Sequence, residues 1–167
     1  STGQTLLKAC VADLLAMRGL SVEAWYSTNI LGNQDGFVLA QNDYRAVKLA
    51  DKRALLREAF GVPDQNHVVD ISYFPPRGDN KESWDSVDFS GWFGLGMQLK
   101  LNWMGRDSIL AAPLLLDLVR WMEWELRSGA SGLQPQLGFY FKRPLGDGAL
   151  APPALQYSRL LSHYACV

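Results

Sequence analysis

The chain has 167 residues, of which 48% are hydrophobic and 20% charged, and its net charge is −1. These totals describe one folded domain with a real core and exclude a disordered chain. They also exclude a global attraction to nucleic acid or to an anionic membrane, and the two cysteines, Cys10 and Cys166, are too few for a disulfide framework.

Taken in chain order, Thr5 to Arg18 carries the stripe Leu6, Leu7, Cys10, Val11, Leu14 and Leu15, which predicts an amphipathic helix stopped by Gly19. Cys10 reads as a buried thiol on that stripe. The small residues Ser1 to Thr5 leave backbone N–H groups suited either to an anion or to an ordinary N-cap. Ser21 to Ser27 predicts a strand. The stretch Tyr26-Ser-Thr-Asn-Ile-Leu-Gly-Asn-Gln-Asp-Gly36 then reads as a turn with more amide and carboxylate groups than a turn needs. Tyr44 to Phe60 is mostly helical and ends at Gly61-Val62-Pro63. Lys48 and Lys52 would share a face of it, a like-charge pairing that costs roughly 0.2–0.5 kcal/mol on an isolated helix.

Asn66 to Phe74 predicts a strand, and Pro75 to Lys81 a loop. Ser83 to Trp92 and Leu95 to Met104 predict paired strands. In the second, Met97, Leu99, Leu101 and Trp103 alternate with Gln98, Lys100 and Asn102. Asp107 to Arg127 is the longest helix, with Asp107 at its N-cap. Phe139 to Lys142 is a short aromatic element before Pro144, and Gln156 to Cys166 a final helix. Strands and helices do not alternate strictly, which predicts an α+β fold with helices packed on one face of a mostly antiparallel sheet. The longest apolar run, Ile109 to Leu116, contains Pro113 and is too short to span a bilayer. No signal-peptide pattern opens the chain. The start at Ser1, with a helix pattern at once, reads as an excised domain of a longer polypeptide in a cytoplasmic setting.

The chain uses ten arginines but six lysines. Four of the lysines sit at unusual places: Lys48 and Lys52 on one face, Lys81 closing a Gly-Asp-Asn loop, and Lys142 after Phe139-Tyr140-Phe141. Aromatic surroundings desolvate an amine and let it exchange a proton near neutrality, which arginine cannot do. The plain alternative is solvated surface charge. His67 reads as structural and His163 as an exposed helix residue. Two histidines and two cysteines share no metal-ligand spacing. Gly91-Trp-Phe-Gly-Leu-Gly96 lacks the strand-to-helix context of a dinucleotide loop.

Six blocks in order carry a resemblance: Gly3-Gln4-Thr5; Asn29-x-Leu31-Gly32-Asn33-x-Asp35-Gly36; Lys48-x-x-x-Lys52; Gly78-Asp79-Asn80-Lys81; Asp107-Ser-Ile-Leu-Ala-Ala-Pro113 with Asp117; and Phe141-Lys142-x-Pro144. Together they resemble myo-inositol-1-phosphate synthase, in its shorter archaeal and bacterial forms. Ile30, Gln34, Ala46 and Asp51 depart from the common pattern, and Asp51 beside Lys52 favours that lysine's charged form.

The resemblance implies an NAD-dependent isomerase that converts D-glucose 6-phosphate to 1D-myo-inositol 3-phosphate. The steps are C5 oxidation, enolisation, intramolecular aldol closure and re-reduction. Residues 1–167 would form a single substrate-binding, catalytic and oligomerisation domain, similar to the C-terminal domain of glyceraldehyde-3-phosphate dehydrogenase. The NAD-binding Rossmann domain would lie outside this chain, and the assembly would be a homotetramer. By the same resemblance Lys142 takes the C5 hydroxyl proton, while Lys48 and Lys81 stabilise oxyanions. Lys52 with Thr2, Gly3, Gln4 and Thr5 grips the phosphate. Asn29, Asn33 and Asp35 orient hydroxyls, and Asp79 and Asp107 lie by the lysines or the nicotinamide. Help from a divalent metal or ammonium is left open. Two alternatives stand beside this reading: an NAD-dependent enzyme on another sugar phosphate, and a non-catalytic oligomerisation or sugar-phosphate-binding module.

Overall fold

The computed structural model describes residues 3–41, 57, 61–142, 144–146 and 152–165. Helix α1 (Gln4–Met17) leads into strand β1 (Ser21–Leu31) and the short helix α2 (Gln34–Ala40). Strands β2 (His67–Tyr73), β3 (Lys81–Ser90) and β4 (Gly96–Gly105) follow. The long helix α3 (Asp107–Arg127), a 3-10 helix at Pro135–Tyr140 and helix α4 (Pro153–Tyr164) complete the order. The sheet runs β2-β1-β3-β4. β1–β3 and β3–β4 are antiparallel and β1–β2 is parallel, so the sheet is mixed but mostly antiparallel.

Strand periodicity divides the sheet into two unlike faces. Trp25, Ser27, Asn29 and Leu31 of β1 face the same way as Val87, Asp85, Ser83 and Lys81 of β3, their register partners. At one end this face is apolar: Trp25 and Val87 pack with Ala12 and Leu15 of α1 and with Val62. At the other end it is polar, with Ser27, Asn29, Ser83 and Asp85 all buried. The opposite face leaves Tyr26, Val68, Trp84 and Met104 between 46% and 64% exposed.

The predicted β4 alternation holds, with Leu99, Leu101 and Trp103 half-buried between exposed neighbours. The predicted turn does not begin where expected. β1 continues through Tyr26 to Leu31, because Tyr, Thr and Ile favour extended backbone and Ser27 finds a partner in Asp85 of β3. The chain turns only at Gly32, where an added Cβ would stand 2.4 Å from Gly78 N and 2.6 Å from Phe74 O. No side chain fits that approach.

In α1 the buried positions are Gln4, Lys8, Ala12 and Leu15, of which only Leu15 lies on the predicted apolar stripe. Leu14 is 60% exposed and the Cys10 thiol is exposed rather than buried. The helix is turned this way because its first half lies over the polar end of the sheet. Asp107 is the first residue of α3 and makes no cap; Arg106 holds the N-cap position without a side-chain capping bond. The predicted Tyr44–Phe60 helix lies outside the described residues except for Arg57, which is helical.

Candidate functional site

The polar end of the sheet is organised around Asp85. Its Oδ1 accepts from Gln4 Nε2 at 3.1 Å, Trp25 Nε1 at 2.8 Å and Ser27 Oγ at 2.6 Å, and its Oδ2 accepts from Gln4 Nε2 at 3.0 Å. These donors take the place of the water that so deep a carboxylate gives up. Lys8 stands beside it, with Nζ 3.8 Å from Asp85 Oδ1 and its side chain 4% exposed. The same Nζ is 3.1 Å from His67 Nε2 and 5.4 Å from the centre of the Trp25 ring. Burial pushes the Lys8 ammonium down from 10.5 to about 8; the charge of Asp85 opposes this and the charge of Lys142 adds to it. Sequence reading passed over Lys8 and took His67 as structural. The spacing of Lys8 from the Gly3-Gln4-Thr5 block was the one available signal.

A second polar group lies four residues back along β3, roughly 13 Å away at about 3.3 Å per strand residue. Here Lys81 Nζ donates to Asp107 Oδ2 at 2.7 Å. Gly3 sits against this pair, since a Cβ on it would be 3.7 Å from Asp107 Oδ1 and 3.8 Å from Trp103 Nε1. Gly3 is the N-cap of α1 and offers no capping side chain. The first N–H groups of a helix have no intrahelical partners and carry the positive end of its dipole, and here that end lies beside a cation. Between the two groups, Asn29 and Ser83 face each other across β1 and β3. Both are fully buried.

The remaining candidates divide. Gln4 is turned inward onto Asp85, so its side chain is committed within the protein. Thr5 is half-buried in the first turn of α1. Asn33 caps α2, its Oδ1 accepting from Gly36 N at 3.2 Å. Asp35 is exposed in the first turn of that helix, and Asp79 is exposed at the tip of the loop before β3. Lys142 is exposed, against the expectation of an amine desolvated by its aromatic neighbours. The run winds into a 3-10 helix in which Phe139 contacts Tyr157 and Tyr140 Oη accepts from Trp121 Nε1 at 2.9 Å, while Phe141 is left 51% exposed. Thr2, Lys48 and Lys52 lie outside the described residues. Among the described residues no group of three or more His, Cys, Asp or Glu side chains could hold a metal.

A separate cluster ties α3 to α4. The buried Glu125 Oε1 accepts from Gln136 Nε2 at 2.5 Å and Tyr164 Oη at 2.8 Å, and lies 2.9 Å from His163 Nε2. Desolvation is the largest influence on Glu125 and raises it. The bonds from Tyr164 and Gln136 and the His163 charge outweigh it and hold the carboxyl below the usual range. A depressed carboxylate stabilises the fold above its unfolded value, and that stability is lost as pH falls through the folded value. Glu125→Ala is expected to cost about 1–3 kcal/mol at pH 7, the penalty for stranding buried donors. The cost should shrink toward pH 3. Urea unfolding at the two pH values checks this; an equal cost at both would refute the charge assignment.

The fold and site together define an α+β domain that gathers a lysine–carboxylate pair, a helix start and a buried lysine at the polar end of one sheet face. A family model for myo-inositol-1-phosphate synthase matches residues 3–108. The chain belongs to that family. It is 44% identical over 153 residues to inositol-3-phosphate synthase 1 of Bacteroides thetaiotaomicron, covering 87% of this chain and 36% of the relative. Inositol-3-phosphate synthase 1 of Oryza sativa subsp. japonica is 33% identical over 136 residues, 75% of this chain and 26% of the relative. The chain thus spans about a quarter to a third of the length of these curated relatives. Among solved structures, the myo-inositol-1-phosphate synthase-related protein of Thermotoga maritima superposes with a TM-score of 0.79 at 26% identity, covering 98% of this chain and 43% of that one. The inositol-3-phosphate synthase of Caenorhabditis elegans does so at 0.80 and 24% identity, covering 96% and 35%, a likeness of fold.

Proposed function

We propose that this chain is the substrate and oligomerisation domain of an inositol-3-phosphate synthase that cyclises D-glucose 6-phosphate to 1D-myo-inositol 3-phosphate. The observation that carries the reading is the meeting of Lys81, Asp107 and the uncapped start of α1 at one corner of the sheet. A phosphate monoester suits the N–H groups of that helix start, with Lys52 as the added cation. Lys81, held by Asp107, is a fixed positive charge for a developing oxyanion, and Lys48 is assigned the same task. Lys142 takes the proton of the C5 hydroxyl. Asn33 keeps its amide N–H groups for a sugar hydroxyl while its oxygen caps α2, and Asp35 is exposed beside it.

The described residues of this chain do not fit a whole dinucleotide. Gly91–Gly96 joins two antiparallel strands through a 3-10 turn and presents no helix start for a pyrophosphate. NAD, which supplies hydride acceptance and return when bound, is therefore assigned to the rest of a longer parent chain. Asp79 and Asp107 are left at its nicotinamide end. The exposed apolar sheet face of Tyr26, Val68, Trp84 and Met104 supports burial against other copies in a homotetramer. The likeness to the C-terminal domain of glyceraldehyde-3-phosphate dehydrogenase belongs to this reading too. No helix among the described residues is long and apolar enough to cross a membrane, and a cytoplasmic setting is part of the proposal.

The test is incubation of the full-length protein with glucose 6-phosphate and NAD, with phosphorus NMR of the product. Inositol phosphate is expected, with no net reduction of NAD. Conversion only of another sugar phosphate would favour a related enzyme. Binding of the sugar phosphate without turnover would favour a non-catalytic module.

A further inference from the structure

Ser83 is a polar residue on this face whose chemistry the fold leaves unused. Its side chain is fully buried, and its Oγ has no hydrogen-bond partner among the described residues. Ser27, equally buried one strand away, makes the contrast: its Oγ donates to Asp85 at 2.6 Å. Other polar groups of the face are bonded too. Asp85 accepts from Gln4, Trp25 and Ser27, and Lys81 donates to Asp107. A buried hydroxyl without a partner is costly, because it has given up water and made no bond in exchange. Nor does the strand require serine here. Strands favour β-branched and aromatic residues, and Val87, four residues along the same face, fills its place with apolar contacts.

Its position indicates what the hydroxyl serves. Strand geometry puts Ser83 two residues from Lys81 and two from Asp85, about 7 Å from each. It stands directly opposite Asn29 of β1, which faces the same way. Opposed residues of antiparallel strands hold their Cβ atoms about 4.5–5.5 Å apart, so one oxygen standing over the pair meets both side chains. A hydroxyl and an amide are neutral, and each both donates and accepts. They match a neutral group that does the same, and a sugar hydroxyl is such a group. A phosphate is not. It calls for cations and helix N–H groups, and those lie at the Lys81 corner.

We propose that Ser83 is a substrate-binding residue: its hydroxyl pairs with a hydroxyl of the bound sugar phosphate, beside Asn29, and distinguishes that sugar from its deoxy counterpart. The bond forms in the complex, so the ligand supplies the partner that the fold withholds. This rests on the reading of the domain as a sugar-phosphate site. The test is calorimetric binding of glucose 6-phosphate and its 2-, 3- and 4-deoxy analogues to NAD-free full-length protein, for wild type, Ser83→Ala and Ser83→Cys. Ser83→Ala should weaken glucose 6-phosphate by about three- to tenfold, the range for one neutral hydrogen bond. One deoxy analogue, lacking the hydroxyl that Ser83 meets, should bind wild type and Ser83→Ala alike, and the others should show the full loss. Ser83→Cys offers only a weak donor and should lose affinity as Ser83→Ala does, which covers the case of a Ser83→Ala protein that fails to fold. The ligand-free melting temperature of Ser83→Ala should equal or exceed that of wild type, since no bond within the protein is lost. Equal binding of glucose 6-phosphate by wild type and both variants overturns the proposal. So does a lowered ligand-free melting temperature with the same affinity loss for every analogue, the mark of a structural hydroxyl holding a resident water. A selective loss in a protein that makes no inositol phosphate sinks the functional reading and leaves the Ser83 contact standing. Inositol phosphate made with an unaltered KM in Ser83→Ala does the reverse.

Discussion

Lys142→Ala in the full-length protein is expected to lower turnover of glucose 6-phosphate by about 10²- to 10⁴-fold, the range for a lost general base. The melting temperature should stay close to that of wild type. Both expectations follow from position. Lys142 is exposed at the end of a segment whose anchoring is done by Phe139 and Tyr140, so truncation removes little packing; exposed substitutions of this kind usually change stability by about 0.5 kcal/mol or less. The catalytic loss should not be rescued by Lys142→Arg, because a guanidinium keeps its proton at any working pH. Absorbance of the reduced cofactor in a single turnover separates the steps. A missing proton acceptor stops oxidation at C5, so no reduced cofactor should accumulate. A variant that still reduces the cofactor and stalls later would move Lys142 from the oxidation to the ring closure.

What could be read from the sequence follows the range of the interactions involved. Helix α3 was legible from Asp107 to Arg127 because apolar periodicity needs no distant partner, and β4 was legible by its alternation. Helix α1 was recognised as a helix, but of its buried positions only Leu15 lay on the expected stripe. Its buried Gln4 and Lys8 are matched by Asp85 and His67, 81 and 59 residues away, and no local pattern announces such pairs. The end of β1 was misread for a related reason. Ser27 and Asn29 look like turn residues until Asp85 and Ser83 stand opposite them. Asp107 ahead of a helix is a cap by default, yet Lys81, 26 residues earlier, takes its carboxylate instead. Of the four candidate lysines, Lys81 and Lys142 fall among the described residues.

Asp85→Ala should be the most destabilising single change at the polar end, costing about 3–5 kcal/mol near pH 7, as expected when one partner of a buried charged pair is removed. It strands donors on Gln4, Trp25 and Ser27 and leaves Lys8 without a counter-charge. The pH dependence gives the signature. Lys8 in the folded protein sits at about 8, below its ordinary 10.5, so between these values the unfolded chain binds more protons than the folded one. Stability from this group therefore rises with pH across that window, by about 3 kcal/mol at most, and is lowest where Lys8 is fully charged. Without Asp85 the burial of Lys8 is less opposed, its folded value falls further, and the rise should begin at lower pH. The cost of Asp85→Ala should thus shrink as pH goes from 7 to 10. Urea unfolding of wild type and variant at pH 7, 8.5 and 10 measures this. A cost that stays constant would show that Lys8 does not feel the carboxylate, and the charge network drawn around it would have to be abandoned.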